Sequence, residues 1–318
     1  MTERRRGSAG AVLVLAGPTA SGKSRAAHEL ARRLAGEVVV MDSMKVYREM
    51  DVATAKPPLE RRAEVRYHLV DIVDPSEDFS VGDYLALLEE TLEDLARRGV
   101  PAVVSAGTPL YLQAFLAGFE RGPEADWAVR KRLLEEAEAA GPAALHARLE
   151  RIDPEAAARI HPRDLRRVVR ALEVAELTGG GAPRRRSWAE AAPRAGARLF
   201  GLLWDRAELY RRIDRRVEEM ARAGLFEEAL RLRERVPPIG RSASQCIGYK
   251  EIWRGLAAAE PRAEIVAAVQ RRTRRLAKHQ MTWFRRLPIS WIEVAEGDAP
   301  QTIADRIVER LTAAGPHS

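Results

Sequence analysis

Apolar runs that end at glycine-rich or acidic turns organise the first third of the chain. Residues 11–16 are apolar throughout and stop at Gly17, after which residues 23–34 take up a helical period. A second run, 38–41, ends in Asp42, and a third, 100–105, ends in the loop Ala106-Gly107-Thr108-Pro109. Short buried strands alternating with helices predict a parallel sheet, whose ligands lie beyond the carboxyl ends of its strands. All three strand ends therefore face one crevice. A further run, 200–204, is expected to return the chain to that sheet.

Between these runs the pattern changes. Residues 120–190 read as helices punctuated by Pro and Gly, and they close with Gly179-Gly180-Gly181-Ala182-Pro183 before Arg184-Arg185-Arg186, a flexible basic exit. Residues 207–235 and 264–286 carry long helical periods, and the C-terminal residues beyond them read as ordinary surface material. The expected fold is a P-loop NTPase-like α/β protein: a parallel sheet flanked by helices, with a helical insertion domain. Its expected parts are the first portion of the core, 1–120, the insertion, 121–190, and the completion of the core with basic C-terminal helices, 191–318. There is no internal repeat.

Composition narrows the class. The 318 residues are 46% hydrophobic and 31% charged, which is globular, and exceed the usual size of one domain. Lys and Arg number 53 against 46 Asp and Glu, a formal charge of +7, so an anionic partner is expected, nucleic acid first. With Cys246 as the single cysteine, neither an internal disulfide nor a Cys-based metal site can form, and a reducing cytoplasm is the simplest setting. Arg4, Arg5 and Arg6 before an apolar run superficially resemble a signal peptide. That run ends in a glycine-rich loop and is far shorter than the ~20 residues a membrane helix needs, so no membrane association is expected. His28, His68, His146 and His161 lack ligand spacing, which argues against zinc.

Gly17-Pro18-Thr19-Ala20-Ser21-Gly22-Lys23-Ser24 fits GxxxxGK[ST] and sits between a strand and a helix, the context the motif requires. The glycines let backbone amides turn toward an anion, the helix adds its positive end, Lys23 adds a point charge, and Ser24 is the candidate ligand for Mg2+. Two linked phosphates suit such a loop. A nucleotide is its usual guest, so a kinase or ATPase is the default, and Asp42 also reads as a Walker-B-like carboxylate. The strand pattern alone leaves these alternatives open.

Asp42-Ser43-Met44-Lys45-Val46-Tyr47-Arg48-Glu49-Met50-Asp51-Val52-Ala53-Thr54-Ala55-Lys56-Pro57 resembles the tRNA dimethylallyltransferases (tRNA isopentenyltransferases) of bacterial type. Further segments match that family in order. They are Tyr67-His68-Leu69-Val70-Asp71 with Asp74-Pro75, Phe79-Ser80-Val81, Gly107-Thr108-Pro109-Leu110-Tyr111, His161-Pro162-Arg163-Asp164, Gly248-Tyr249-Lys250-Glu251 and Thr282-Trp283-Phe284-Arg285. The resemblance covers residues 12–286. Two departures stand out: Gln245 and His279 occupy places where the family usually has Arg, each removing a permanent cation from an expected RNA contact.

The resemblance implies transfer of a dimethylallyl group from dimethylallyl diphosphate to the exocyclic amine of the adenosine 3′-adjacent to the anticodon, with Mg2+. The loop Gly17 to Ser24 would then hold the departing diphosphate, aided by Arg216, and Lys23 would act in catalysis. An adenine amine is a poor nucleophile, so a carboxylate that accepts its proton helps; Asp42 is the candidate, with Thr108 beside it. The partner is tRNA, through its anticodon stem-loop, and the expected state is a monomer. Expected tRNA contacts are Asp42, Ser43, Met44, Lys45 and Thr108; Arg130; Arg163, Arg166, Arg167, Val168, Val169 and Arg170; Gln245, Cys246, Ile247, Gly248, Tyr249 and Lys250; and Lys278. Helical spacing independently puts Arg163, Arg166, Arg167 and Arg170 in one sector, opposite Leu165, Val168, Val169 and Leu172. Arg271, Arg272, Arg274 and Arg275 make a second basic stretch, while Trp283 and Phe284 read as core anchors.

Overall fold

The computed structural model describes residues 12–119, 122–180 and 197–313; Arg184-Arg185-Arg186 and both expected domain joints fall outside them. The chain divides into two compact units, Met1–Gly118 with Ser187–Ser318, and Phe119–Arg186.

The first unit is built on one six-stranded sheet, β1 (Val12–Ala16), β2 (Glu37–Met41), β3 (Tyr67–His68), β4 (Ala102–Ala106), β5 (Ala197–Trp204) and β6 (Ser290–Val294), ordered β3-β2-β4-β1-β5-β6. Every pairing is parallel. Such a sheet is covered on both faces, which is why β1, β2 and β4 are apolar at almost every position. The third apolar run yields a strand that starts two residues late: the Val100 amide closes the preceding helix on Leu95 O, and Pro101 has no amide to give to the ladder.

The helices of this unit are α1 (Lys23–Leu34), α2 (Leu59–Glu64), α3 (Val81–Arg97) and α4 (Pro109–Ala117), then after the second unit α9 (Arg206–Arg222), α10 (Leu225–Arg233), α11 (Tyr249–Ala257), α12 (Arg262–Phe284) and α13 (Pro300–Ala313). Successive strand side chains point to opposite faces. Leu13, Leu15, Val38, Val40, Phe200, Leu202, Ile292 and Val294 accordingly meet Ala26, Leu30, Ala31, Ile303, Ala304 and Ile307 in one core. This corrects the reading of the C-terminal residues as surface material, since β6 completes the sheet and α13 packs beside α1. The helical period over 207–235 is two helices, broken at Gly224 with φ 100°.

The second unit contains α5 (Trp127–Ala140), α6 (Pro142–Ile152), α7 (Pro154–Arg159) and α8 (Leu165–Thr178). Its core joins Leu133, Leu145, Leu149, Ala156, Val168, Val169 and Leu172.

Candidate active site

The turn between β1 and α1 has the geometry of an anion cradle. Gly22 precedes α1 at φ 87°, ψ 0°, a left-handed conformation that costs glycine nothing, and no side chain caps the helix. The Arg25 and Ala26 amides donate to Gly22 O, at 3.0 and 3.1 Å, so the Lys23 and Ser24 amides and the positive end of the helix are left to a ligand. The loop is braced from behind. Trp204 Nε1 donates to Ser21 O at 2.9 Å, Arg212 Nε donates to Ala20 O at 3.1 Å, and the Arg212 guanidinium lies 4.3 Å over the Trp204 ring. The Thr19 amide is already used: it donates to Gln280 Oε1 at 2.9 Å.

Cations converge here. Lys23 has its pKa drawn down to about 7, by burial first and then by Lys45 and Arg216, against the opposing pull of Asp42. Burial likewise lowers Lys45 to about 8, with Asp42 opposing and Arg216 adding to the fall. Lys45 Nζ donates to Ser24 Oγ at 3.5 Å. Burial also lowers the pKa of Arg216, again with Asp42 opposing. Two depressed lysines near one arginine and a single carboxylate leave an excess of positive charge, which a diphosphate would neutralise.

Asp42 follows β2 and faces this cluster. Its Oδ1 accepts the amides of Met44 at 3.0 Å and Lys45 at 3.3 Å, and among the described residues Oδ2 has no hydrogen-bond donor. A Cβ added to Gly107 would lie 3.0 Å from Lys23 Cε, 3.1 Å from Asp42 Oδ2 and 3.2 Å from Lys23 Nζ, so a side chain here would press on both and shift them by a few tenths of an ångström. Thr108 Oγ1 accepts the Ser43 amide at 3.0 Å, and the Gly107 and Thr108 amides both donate to Met41 O, at 2.9 and 3.3 Å. The ends of β1, β2 and β4 therefore bring Lys23, Asp42 and Thr108 to one place.

The segment from Gln245 to Lys250 holds a different role for each residue. Gln245 Oε1 accepts from Lys250 Nζ at 2.7 Å on the exposed side. Cys246 and Tyr249 are buried, and burial pushes the Cys246 thiol far above its ordinary range, so it is no nucleophile. Tyr249 donates its hydroxyl to Glu228 Oε1 at 2.9 Å. Glu228, which the motifs did not single out, is buried and also accepts the amides of Asp51, Val52 and Ala53 at 2.8, 2.7 and 2.9 Å. It fixes the loop beyond the Asp42 turn. Lys56, also nearly enclosed, pairs with Asp51 and Asp71 and donates to Tyr47 O at 2.6 Å, pinning the same loop.

In the four-helix unit, Arg163, Arg166 and Arg167 are exposed, Arg163 in the turn that precedes α8. The expected contacts at Val168, Val169, Cys246 and Tyr249 need correction as side-chain contacts, because all four are in the interior. Arg170 and Arg130 are also turned to internal work. Both bind Glu173, which is fully buried and further accepts the Asp126 amide at 2.6 Å; Arg130 donates to it at 3.0 Å and Arg170 at 2.5 Å. On α12, Arg271, Arg272, Arg275 and Lys278 are exposed, whereas Arg274 pairs with Asp214. Phe284 is a core anchor, while Trp283 is only half-buried, with the Arg286 guanidinium 4.6 Å over its ring.

A parallel sheet carrying an anion cradle and a carboxylate with one open oxygen at its carboxyl edge defines an α/β enzyme of phosphorylated ligands. The chain belongs to the IPP transferase family, whose model matches residues 45–287. It is 42% identical over 305 residues to a tRNA dimethylallyltransferase of Symbiobacterium thermophilum, covering 94% of each chain. It is similar to the crystal structure of the full-length tRNA isopentenylpyrophosphate transferase from Bacillus halodurans, at 38% identity, TM-score 0.68 and 96% of both chains. It is also similar to a eukaryotic dimethylallyltransferase solved acting on tRNA, at 25% identity and TM-score 0.75, over 96% of this chain and 80% of that one.

Proposed function

We propose that this chain transfers the dimethylallyl group of dimethylallyl diphosphate to the exocyclic N6 amine of the adenosine 3′-adjacent to the anticodon of a tRNA. One observation carries the reading: a carboxylate oxygen of Asp42 stands without a donor among the described residues, beside a cationic phosphate cradle. A carboxylate there would also suit phosphoryl transfer, and the likeness to tRNA dimethylallyltransferases supports the adenine amine as the group whose proton it accepts. The N6 lone pair forms the new carbon–nitrogen bond as the allylic carbon–oxygen bond breaks, the electron pair of that bond leaving on the diphosphate. The amide cradle, Lys23, Lys45 and Arg216 meet the growing negative charge. Asp42 Oδ2 accepts the N6 proton, and Thr108 holds the Ser43 turn in place.

Among the described residues no group of three His, Cys, Asp or Glu side chains could hold a metal. Magnesium fits here only with ligand oxygens, as is usual for that ion, and Ser24 Oγ would hold it together with the diphosphate. When bound, it shares the neutralisation of the leaving group. The four-helix unit would act as an inserted domain gripping the anticodon stem-loop with Arg163, Arg166 and Arg167, and the exposed cations of α12 would track phosphates. The setting assumed is a monomer in a reducing cytoplasm.

Incubation with tRNA, magnesium and dimethylallyl diphosphate, followed by nucleoside analysis, should yield N6-(dimethylallyl)adenosine. Product from AMP but not tRNA would reassign the acceptor, and ATP consumption without prenyl transfer would return the site to a kinase.

A further inference from the structure

Gln280 lies in α12, 261 positions from the loop it touches, and is 7% exposed. Its carboxamide oxygen accepts the Thr19 amide at 2.9 Å, and its carboxamide nitrogen donates to Gly107 O at 2.7 Å. One uncharged group thus joins the diphosphate loop to the β4 loop. Gly107 is the residue wedged against Lys23 and Asp42 Oδ2, and its neighbour Thr108 holds the Ser43 turn. A carboxamide offers a donor and an acceptor together without charge, whereas a carboxylate accepts only and an ammonium donates only. A charge at this point would also disturb the balance that Lys23, Lys45, Arg216 and Asp42 set.

We infer that Gln280 is a positioning residue that fixes the separation between the cradle holding the donor's diphosphate and the carboxylate that receives the acceptor's proton. This rests on the prenyl-transfer reading. It does so by restraining two loops, without touching substrate. The Thr19 amide is accordingly withdrawn from the anion-binding set, as is that of Ser21, which donates to Pro18 O, and the cradle is left to amides such as those of Lys23 and Ser24. Removing the restraint leaves each half of the site intact and lets the halves drift, so the loss falls on the chemical step, where a misplacement of about 1 Å can cost about a hundredfold.

The test uses the full chain with Gln280→Met, which keeps the volume and removes both hydrogen bonds, and Gln280→Glu, which keeps only the acceptor. Gln280→Met should lower kcat for prenyl transfer by roughly 30-fold or more while changing KM for dimethylallyl diphosphate and Kd for inorganic pyrophosphate less than about threefold. Gln280→Glu should keep the Thr19 amide protected from hydrogen exchange, and Gln280→Met should expose it. An unchanged kcat, a pyrophosphate affinity that falls in step with kcat, or a Thr19 amide equally protected in all three proteins would overturn the inference. Wild-type protein that binds pyrophosphate and protects Thr19 but makes no prenylated nucleoside would instead defeat the prenyl-transfer reading and leave only the loop clamp standing.

Discussion

The sheet-edge cradle and the four-helix unit each gather arginine or lysine around a carboxylate, and they do so to opposite ends. In the helical unit, buried Glu173 accepts from Arg130, from Arg170 and from the Asp126 amide. Both of its oxygens are used, and two partly exposed arginines more than offset its charge. At the sheet edge, Asp42 spends one oxygen on its own turn, and the surrounding cations carry more charge than it can cancel. Buried polar groups that are fully satisfied hold a fold together, while a group left unsatisfied beside excess charge is poised for a ligand. Glu228 belongs with Glu173 on this criterion, since its hydrogen bonds go to one tyrosine and three loop amides.

Substitutions at the two carboxylates separate these roles most sharply. Asp42→Ala should reduce single-turnover prenyl transfer by about 10³-fold, within the range for a general base, while tRNA affinity by filter binding stays within about twofold. A rate and an affinity that fall together would place Asp42 with the structural carboxylates. Lys23→Met should lower kcat by about 10²-fold, as for loss of one charge-stabilising donor, and weaken pyrophosphate binding in calorimetry. Glu173→Ala should do the reverse. It should cost about 3 kcal/mol in denaturant unfolding, the low end for breaking a buried ion pair because both arginines are partly exposed. Its kcat at a temperature where it is folded should be close to wild type.

Protonation offers a subtler contrast. Lys23 and Lys45 stand at about 7 and about 8 in the free protein, and a bound diphosphate raises both. At about pH 6 and below both are already largely charged and binding takes up little proton at either. Above pH 8 binding must recharge them, so calorimetry in buffers of differing ionisation enthalpy should show net proton uptake, and the pyrophosphate affinity should decline as pH rises toward 9. An affinity flat across that range would mean that the lysines are not in the cradle. Smallest in effect, Arg166→Ala should change stability by less than about 0.5 kcal/mol and reduce the salt dependence of tRNA binding by roughly one phosphate contact.

Much of this was legible in the residues. The runs that become β1, β2 and β4 are apolar because both faces of the sheet are covered, and α1 begins where the GxxxxGK[ST] pattern requires. Asp42, Thr108 and Lys23 could be placed together because each ends or follows a strand of one parallel sheet. β6 escaped notice because Ser290 and Glu293 break its apolar run on the sheet's edge, and two-residue β3 is too short to leave a pattern. Gln280, Glu228 and Glu173 were illegible for another reason. Their partners include backbone groups or arginines far along the chain, and a polar residue in a helical stretch reads as solvent-facing until the fold brings those partners to it. The stripe at Arg163, Arg166, Arg167 and Arg170 was half legible: periodicity found the face but not the inward pull of Glu173 on Arg170.

Whether a carboxylate left open by the protein is filled by the acceptor base is best seen directly. A crystal of the full chain with an anticodon stem-loop and a non-cleavable thio analogue of dimethylallyl diphosphate should place Asp42 Oδ2 within about 3.2 Å of the exocyclic amine of the everted adenine, with the diphosphate on the amides of α1 and on Lys23. A base whose amine is held by other groups, with Asp42 still turned to its own loop, would contradict the account.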